Sequence, residues 1–125
     1  MKEKDFQSKF TNYIKEFWEG TAAFELKYAK GSRFSFGQIK PHQLVALRLT
    51  NHKKIVWKIE DSGYLRKPYD MFVIEKSPAF IVVMFEFDKK IFFLITIDEI
   101  DELISQGKKS ITFDECFSLF QSIKI

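Results

Sequence analysis

The chain reads as a mixed α/β (α+β) fold, a central mixed sheet flanked by helices. Three observations predict this. The opening segment repeats apolar residues at helical spacing, with Phe6, Phe10, Tyr13, Ile14 and Phe17 on one face. The middle and later chain holds short apolar or alternating runs of strand length. The 3 prolines and 5 glycines fall between these runs, where turns belong. At 125 residues and 14.8 kDa, the chain fits one domain spanning 1–125, with enough bulk for a hydrophobic core.

The elements follow in the order α-β-α-β-β-β-β-α-α. The first helix covers 5–18, with Asp5 as its cap and Gly20 as its stop. Thr21–Tyr28 is a strand with Ala22, Phe24, Leu26 and Tyr28 on one face and Ala23, Glu25 and Lys27 on the other. Lys30-Gly31-Ser32-Arg33 is a basic loop. Pro41 suits the first turn of a helix running to about Asn51, with Leu44, Val45 and Leu47 as its apolar side. Lys54–Ile59 alternates as a strand and Asp61-Ser62-Gly63 is a turn. Asp70–Ile74 and Ala79–Phe87 are strands separated by Lys76-Ser77-Pro78. Asp88-Lys89-Lys90 turns into a last strand, Ile91–Ile97. Asp98 caps a short helix to Ser105, Gly107 ends it, and Thr112 with Glu115 opens a final helix through a capping box.

Composition narrows the function. Apolar residues make up 46% and charged residues 30%, with 15 Phe, which excludes a disordered, collagen-like or coiled-coil chain. The single cysteine, Cys116, forms no internal disulfide and points to a reducing, cytoplasmic setting. The charged start, Met1-Lys2-Glu3-Lys4-Asp5, is unlike a signal peptide, and Phe80–Phe85 and Ile91–Ile97 are too short to span a bilayer. Net charge is +3 with a pI near 8.9, compatible with nucleic acid without arguing for it alone. No glycine-rich nucleotide fingerprint, P-loop, nucleophile elbow or paired cysteines occur.

The sharpest feature is Phe24-Glu25-Leu26-Lys27. On a strand, Glu25 and Lys27 project together while Phe24 and Leu26 point to the other side. Two readings account for such a pair. One is a solvated ion pair worth little. The other is a metal site, with Glu25 as a hard oxygen ligand and Lys27 beside a phosphate and its attacking water. Asp70 likewise reads either as a cap after Pro68 or as a carboxylate fixed at a sheet edge. His42 and His52 lack partners at ligand spacing. Cys116, among Phe113, Phe117 and Phe120, reads as a buried apolar residue. Trp18, Tyr28, Phe34 and Phe36 read first as core, with base stacking or a dimer surface as the alternative. Asp98–Glu102 reads as an acidic helix start that DNA avoids.

Downstream of Glu25-x-Lys27 come the basic loop, Phe34-Ser35-Phe36 and Pro41-His42-Gln43-Leu44 at a helix start. This set resembles the PD-(D/E)xK nuclease superfamily, and within it Holliday-junction resolvases of the RecU type and their small phage relatives. Lys108-Lys109-Ser110-Ile111 is similar to a late Lys-Ser-Ile segment of those chains, so the resemblance covers roughly 20–112.

The resemblance implies a restriction-endonuclease-like fold and an Mg²⁺-dependent (or Mn²⁺-dependent) endodeoxyribonuclease acting on four-way junctions or other branched DNA. It implies Glu25 as metal ligand, Lys27 as the catalytic lysine, Gln43 lining the site, and Lys30 and Arg33 beside the DNA backbone. A homodimer is implied by the two symmetric cuts of junction resolution, with the aromatic first helix expected in its interface. The family places an Asp on the strand before Glu-x-Lys, whereas here no Asp lies between the first helix and Glu25. Asp70, in Lys67-Pro68-Tyr69-Asp70, is therefore the expected second metal carboxylate, with Glu16, Glu19, Glu60 and Asp61 as reserves. The alternatives are a nuclease for non-junction DNA, or a catalytically degenerate module that keeps the fold and binds DNA.

Overall fold

The computed structural model describes residues 3–53, 55–58 and 71–124. Its elements are α1 (Glu3–Phe17), β1 (Ala23–Ala29), β2 (Arg33–Ser35), a 3₁₀ turn (Phe36–Gln38), α2 (Pro41–His52), β3 (Ile55–Lys58), β4 (Met71–Ile74), β5 (Ala79–Phe85), β6 (Asp88–Thr96), α3 (Ile97–Ser105), β7 (Ser110–Thr112), α4 (Phe113–Leu119) and β8 (Gln121–Lys124). The mixed α/β architecture is as the sequence predicts. Among the described residues no helix is long and apolar enough to cross a membrane.

The main sheet has four strands in the order β1-β5-β6-β8. β1 runs parallel to β5, with Glu25 opposite Ile81 and Lys27 opposite Val83. β5, β6 and β8 are successively antiparallel. Parallel neighbours need a long connection, and here α2 lies within it. Two smaller antiparallel pairs, β2 with β7 and β3 with β4, complete the strands.

Alternation along the central strands creates two cores. Val82 and Met84 of β5 and Phe92 and Leu94 of β6 face α1, where Phe6 and Phe10 bury themselves and Tyr13, Ile14 and Trp18 pack around them. Phe10 meets Phe24 and Phe92 edge-to-face, at centroid distances of 5.1 and 5.3 Å. Ile81, Val83 and Phe85 of β5 and Phe93 and Ile95 of β6 face the opposite way. Leu47, Ile100, Phe113 and Cys116 from α2, α3 and α4 cover them. Both faces of β5 are buried, which explains its unbroken apolar run. The aromatic face of α1, expected at a dimer interface, is thus spent on the sheet. Only Phe17, at its end, is well exposed.

Several boundaries differ from expectation. Ala79–Phe87 and Ile91–Ile97 are joined earlier than predicted, because the turn falls at Glu86-Phe87 and Asp88 already belongs to β6. Thr96, not Asp98, caps α3: its hydroxyl accepts from Glu99 N–H while the Glu99 carboxylate accepts from Thr96 N–H at 3.0 Å. The predicted Thr112–Glu115 box is present on α4, but that helix stops at Leu119 and the chain leaves as β8. The Asp61-Ser62-Gly63 turn lies outside the described residues.

Candidate functional site

β1 presents two different faces. Phe24, Leu26 and Tyr28 pack toward α1, while Ala23 and Ala29 join the opposite core. Glu25 and Lys27 share the face of Ala23 and Ala29, so both point to the side covered by α2. The two small alanines leave room for the charged pair on an otherwise apolar layer. Lys27 Nζ lies 3.4 Å from Glu25 Oε1, and the Lys27 side chain is only 15% exposed against 31% for Glu25. A lysine so covered lies against one carboxylate, unlike a freely solvated surface pair.

α2 supplies the third member. Pro41 occupies the first turn and sets Gln43 at its third position. There the Gln43 Oε1 accepts the backbone N–H of Lys40 at 2.9 Å, and its Nε2 donates to Glu25 Oε1 at 2.8 Å. Only one orientation of the amide satisfies both, since the oxygen must face the N–H donor and the nitrogen the carboxylate. The helix start thus fixes Gln43, and Gln43 fixes Glu25. The signal for the Gln43–Lys40 bond is in the sequence: a proline at a helix start places a Gln two residues later where such side chains turn back.

The structure brings Glu25, Lys27 and Gln43 together. Asp70, Glu60 and Asp61 lie outside the described residues. Glu16 lines a separate cavity of about 390 Å³ with Lys9, Asn12 and Lys124, the last on β8 at the opposite edge of the sheet from β1. Glu19 is exposed beyond the end of α1. Among the described residues, Glu25 is the carboxylate of this cluster, and no group of three or more His, Cys, Asp or Glu residues gathers to hold a metal. A single carboxylate still suits Mg²⁺, which takes one or two together with water and substrate phosphate.

The basic segments also meet. Pairing of β2 with β7 sets Arg33 opposite Thr112 and Ser35 opposite Ser110. Phe36 N–H donates to Lys109 O at 2.9 Å, and Arg33 Nη1 donates to Ser110 Oγ at 2.7 Å. The loop after β1 and the Lys108-Lys109-Ser110 segment, far apart in sequence, therefore form one surface. Lys30, Arg33 and Lys109 are exposed on it. Lys108 is engaged instead with the Glu115 carboxylate. Phe34 and Phe36 are buried beneath, at 0% and 6% exposure, so they serve the core and stack on nothing outside. Cys116 is buried too, and desolvation pushes its thiol up to about 12, which keeps it protonated and unreactive.

No family model, curated protein or solved structure matches this chain.

Proposed function

We propose that this chain is an Mg²⁺-dependent endodeoxyribonuclease acting on branched DNA, in the manner of the PD-(D/E)xK resolvases it resembles. One observation carries the reading. Glu25, Lys27 and Gln43, picked out as Glu-x-Lys on a strand and Gln at a helix start, converge on one carboxylate oxygen, at 3.4 and 2.8 Å. A solvated ion pair has no need of a lysine only 15% exposed or of an amide held in register by a helix.

In this mechanism Glu25 holds the cation, with Asp70 as the second carboxylate, and Mn²⁺ replaces Mg²⁺ with similar effect. A cation held by these carboxylates would supply positive charge against the scissile phosphate and a water of lowered pKa. Lys27 contacts that phosphate and stabilises the extra negative charge of the transition state. Gln43 keeps the Glu25 carboxylate turned toward the reacting phosphate. The water oxygen bonds to phosphorus and gives up a proton as the P–O3′ bond breaks, and the leaving 3′-oxygen takes up a proton from solvent, leaving a 5′-phosphate and a 3′-hydroxyl. Lys30 and Arg33 lie along the DNA backbone. Two symmetric cuts require a homodimer.

The test is cleavage of a labelled four-way junction and its matching linear duplex, in Mg²⁺ or EDTA, by the parent, Lys27→Ala and Asp70→Ala. Paired, metal-dependent nicks confined to the junction and lost in both variants are expected, with Lys27→Ala still binding the junction. Undiminished cleavage by Lys27→Ala overturns the mechanism. Junction binding without any cleavage by the parent identifies the degenerate module instead, and metal-dependent cutting of the linear duplex identifies a nuclease for other DNA.

A further inference from the structure

Among the described residues β1 is an edge of the main sheet, paired on one side only. Which of its peptide groups face that open side follows from two hydrogen bonds. Ala23 N–H donates to Pro78 O at 2.9 Å, and Ala29 O accepts from Glu86 N–H at 2.8 Å. Peptide groups alternate along a strand, so Ala23, Glu25, Lys27 and Ala29 spend theirs on β5. Phe24, Leu26 and Tyr28 direct theirs to the open edge. An edge strand this long is normally blunted by proline, a bulge or inward charge. β1 has no proline and keeps an unbroken register with β5 along its length, and its inward charges, Glu25 and Lys27, are of opposite sign, so a second copy can match them.

The strand is also close to a palindrome: Ala23-Phe24-Glu25-Leu26-Lys27-Tyr28-Ala29 reads small, aromatic, acid, Leu, base, aromatic, small. We propose that β1 joins a second copy of this chain, edge to edge and antiparallel, about a two-fold axis at Leu26. In that register Leu26 faces its own equivalent. Phe24 stands opposite Tyr28 of the partner subunit, Ala23 opposite Ala29 of the partner subunit, and Glu25 opposite Lys27 of the partner subunit. The open-edge peptide groups form about six hydrogen bonds across the axis. The charged pair falls at a non-hydrogen-bonded position, where Cα atoms approach to about 4.5 Å.

Charge selects this register over its neighbours. Sliding the axis to Glu25 sets carboxylate against carboxylate, and sliding it to Lys27 sets ammonium against ammonium. A one-residue slip turns the aromatic face of one strand onto the charged face of the other. Among the described residues the open edge is also reachable. A groove of about 490 Å³ runs along Phe24, Glu25 and Leu26, walled by Gln7, Thr11 and Lys15 of α1, and gives room on the aromatic side. The assembly is isologous, as a two-fold dimer requires, and it extends the sheet through both copies. It also sets two Glu25–Lys27 pairs on one continuous face, so the second copy adds charge to the site of the first.

The experiment reads mass and amide exchange, not cleavage: a dimer indifferent to the charge reversals overturns this interface and leaves the nuclease reading's homodimer standing, whereas a monomer at every concentration removes both. Sedimentation over a concentration range gives a species of twice the 14.8 kDa chain mass for the parent. Glu25→Lys alone and Lys27→Glu alone each place like charges across the axis, and each raises the dimer dissociation constant at least tenfold. Mixed in equal amounts, the two variants restore dimers, because one supplies only cations and the other only anions. Hydrogen exchange on the parent needs no variant to fold. The amides of Phe24, Leu26 and Tyr28 gain protection as concentration rises, while those of Glu25 and Lys27 are protected throughout. A monomer at every concentration, a dimer indifferent to either charge reversal, or exchange at Leu26 independent of concentration overturns the proposal.

Discussion

Gln43 shows how one side chain links fold and site. Its oxygen is held by the Lys40 amide at 2.9 Å, so its nitrogen has one direction left, toward Glu25 at 2.8 Å. Gln43→Ala releases the carboxylate without touching the proposed phosphate contact of Lys27. Junction cleavage is expected to fall about 10–100-fold, the usual cost of losing a partner that orients a metal ligand, while junction binding persists. Gln43→Glu separates this positioning role from a merely structural one. It sets a second carboxylate against Glu25, and like charges favour the protonated form, so the acid limb of the pH–rate profile moves to higher pH. A profile unchanged in Gln43→Glu removes Gln43 from the site. At this scale the sequence was informative because strand alternation is strict. Placing Phe24 and Leu26 in the core leaves Glu25 and Lys27 one common direction. The contact between Gln43 and Glu25 was not legible in that way, since it depends on how α2 lies across β1, which no local pattern encodes.

The helix starts carry their own chemistry. On α4, Glu115 binds Lys108 and also accepts from Thr112 N–H at 3.0 Å, and these donors, Lys108 foremost, hold its carboxyl down at about 2. A carboxyl whose folded pKa lies below its ordinary 4.5 stabilises the fold above that value, and the stabilisation fades as pH falls through about 2. Both side chains are more than a third exposed, so solvent screening reduces the effect to about 1 kcal/mol. Thermal melts of the parent and Glu115→Gln should therefore differ at neutral pH, with the variant less stable, and converge near pH 2. A gap that stays constant with pH means that packing, not charge, accounts for the loss. The capping box on α4 was readable as Thr112 followed three residues later by Glu115. The same pattern at Thr96 and Glu99 is masked in the sequence by Asp98, which offers a competing cap. The short strands β2 and β7 were illegible for a different reason. Their registry comes from pairing with each other across the chain, and three residues carry too little alternation to declare a strand.

The distribution of charge over the whole molecule decides where DNA can lie. The net charge of +3 is small, so position matters more than total. α3 is acidic, yet much of its charge is answered locally. Asp101 takes a two-pronged contact from Arg48 of α2, with both Nε distances 3.0 Å, and Asp98 meets His52 at 2.9 Å. Lys30, Arg33 and Lys109 have no such close acid partner among the described residues, although Arg33 leans on Ser110. They gather on the surface that β2 and β7 build, while Lys4 and Lys9 belong to α1 on the opposite side of the sheet. If DNA binds as proposed, Lys27, Lys30, Arg33 and Lys109 give about four phosphate contacts. Junction affinity measured by fluorescence anisotropy should then fall with a log–log salt slope of about −3 to −4. Replacing Lys30 and Arg33 by Ala removes two of those contacts and should flatten the slope by about 2. Replacing Lys4 and Lys9 by Ala removes the same charge from the far layer and should leave the slope unchanged. Equal effects from the two replacements mean that the molecule attracts DNA by net charge alone, and the surface beside β1 is then not its binding face.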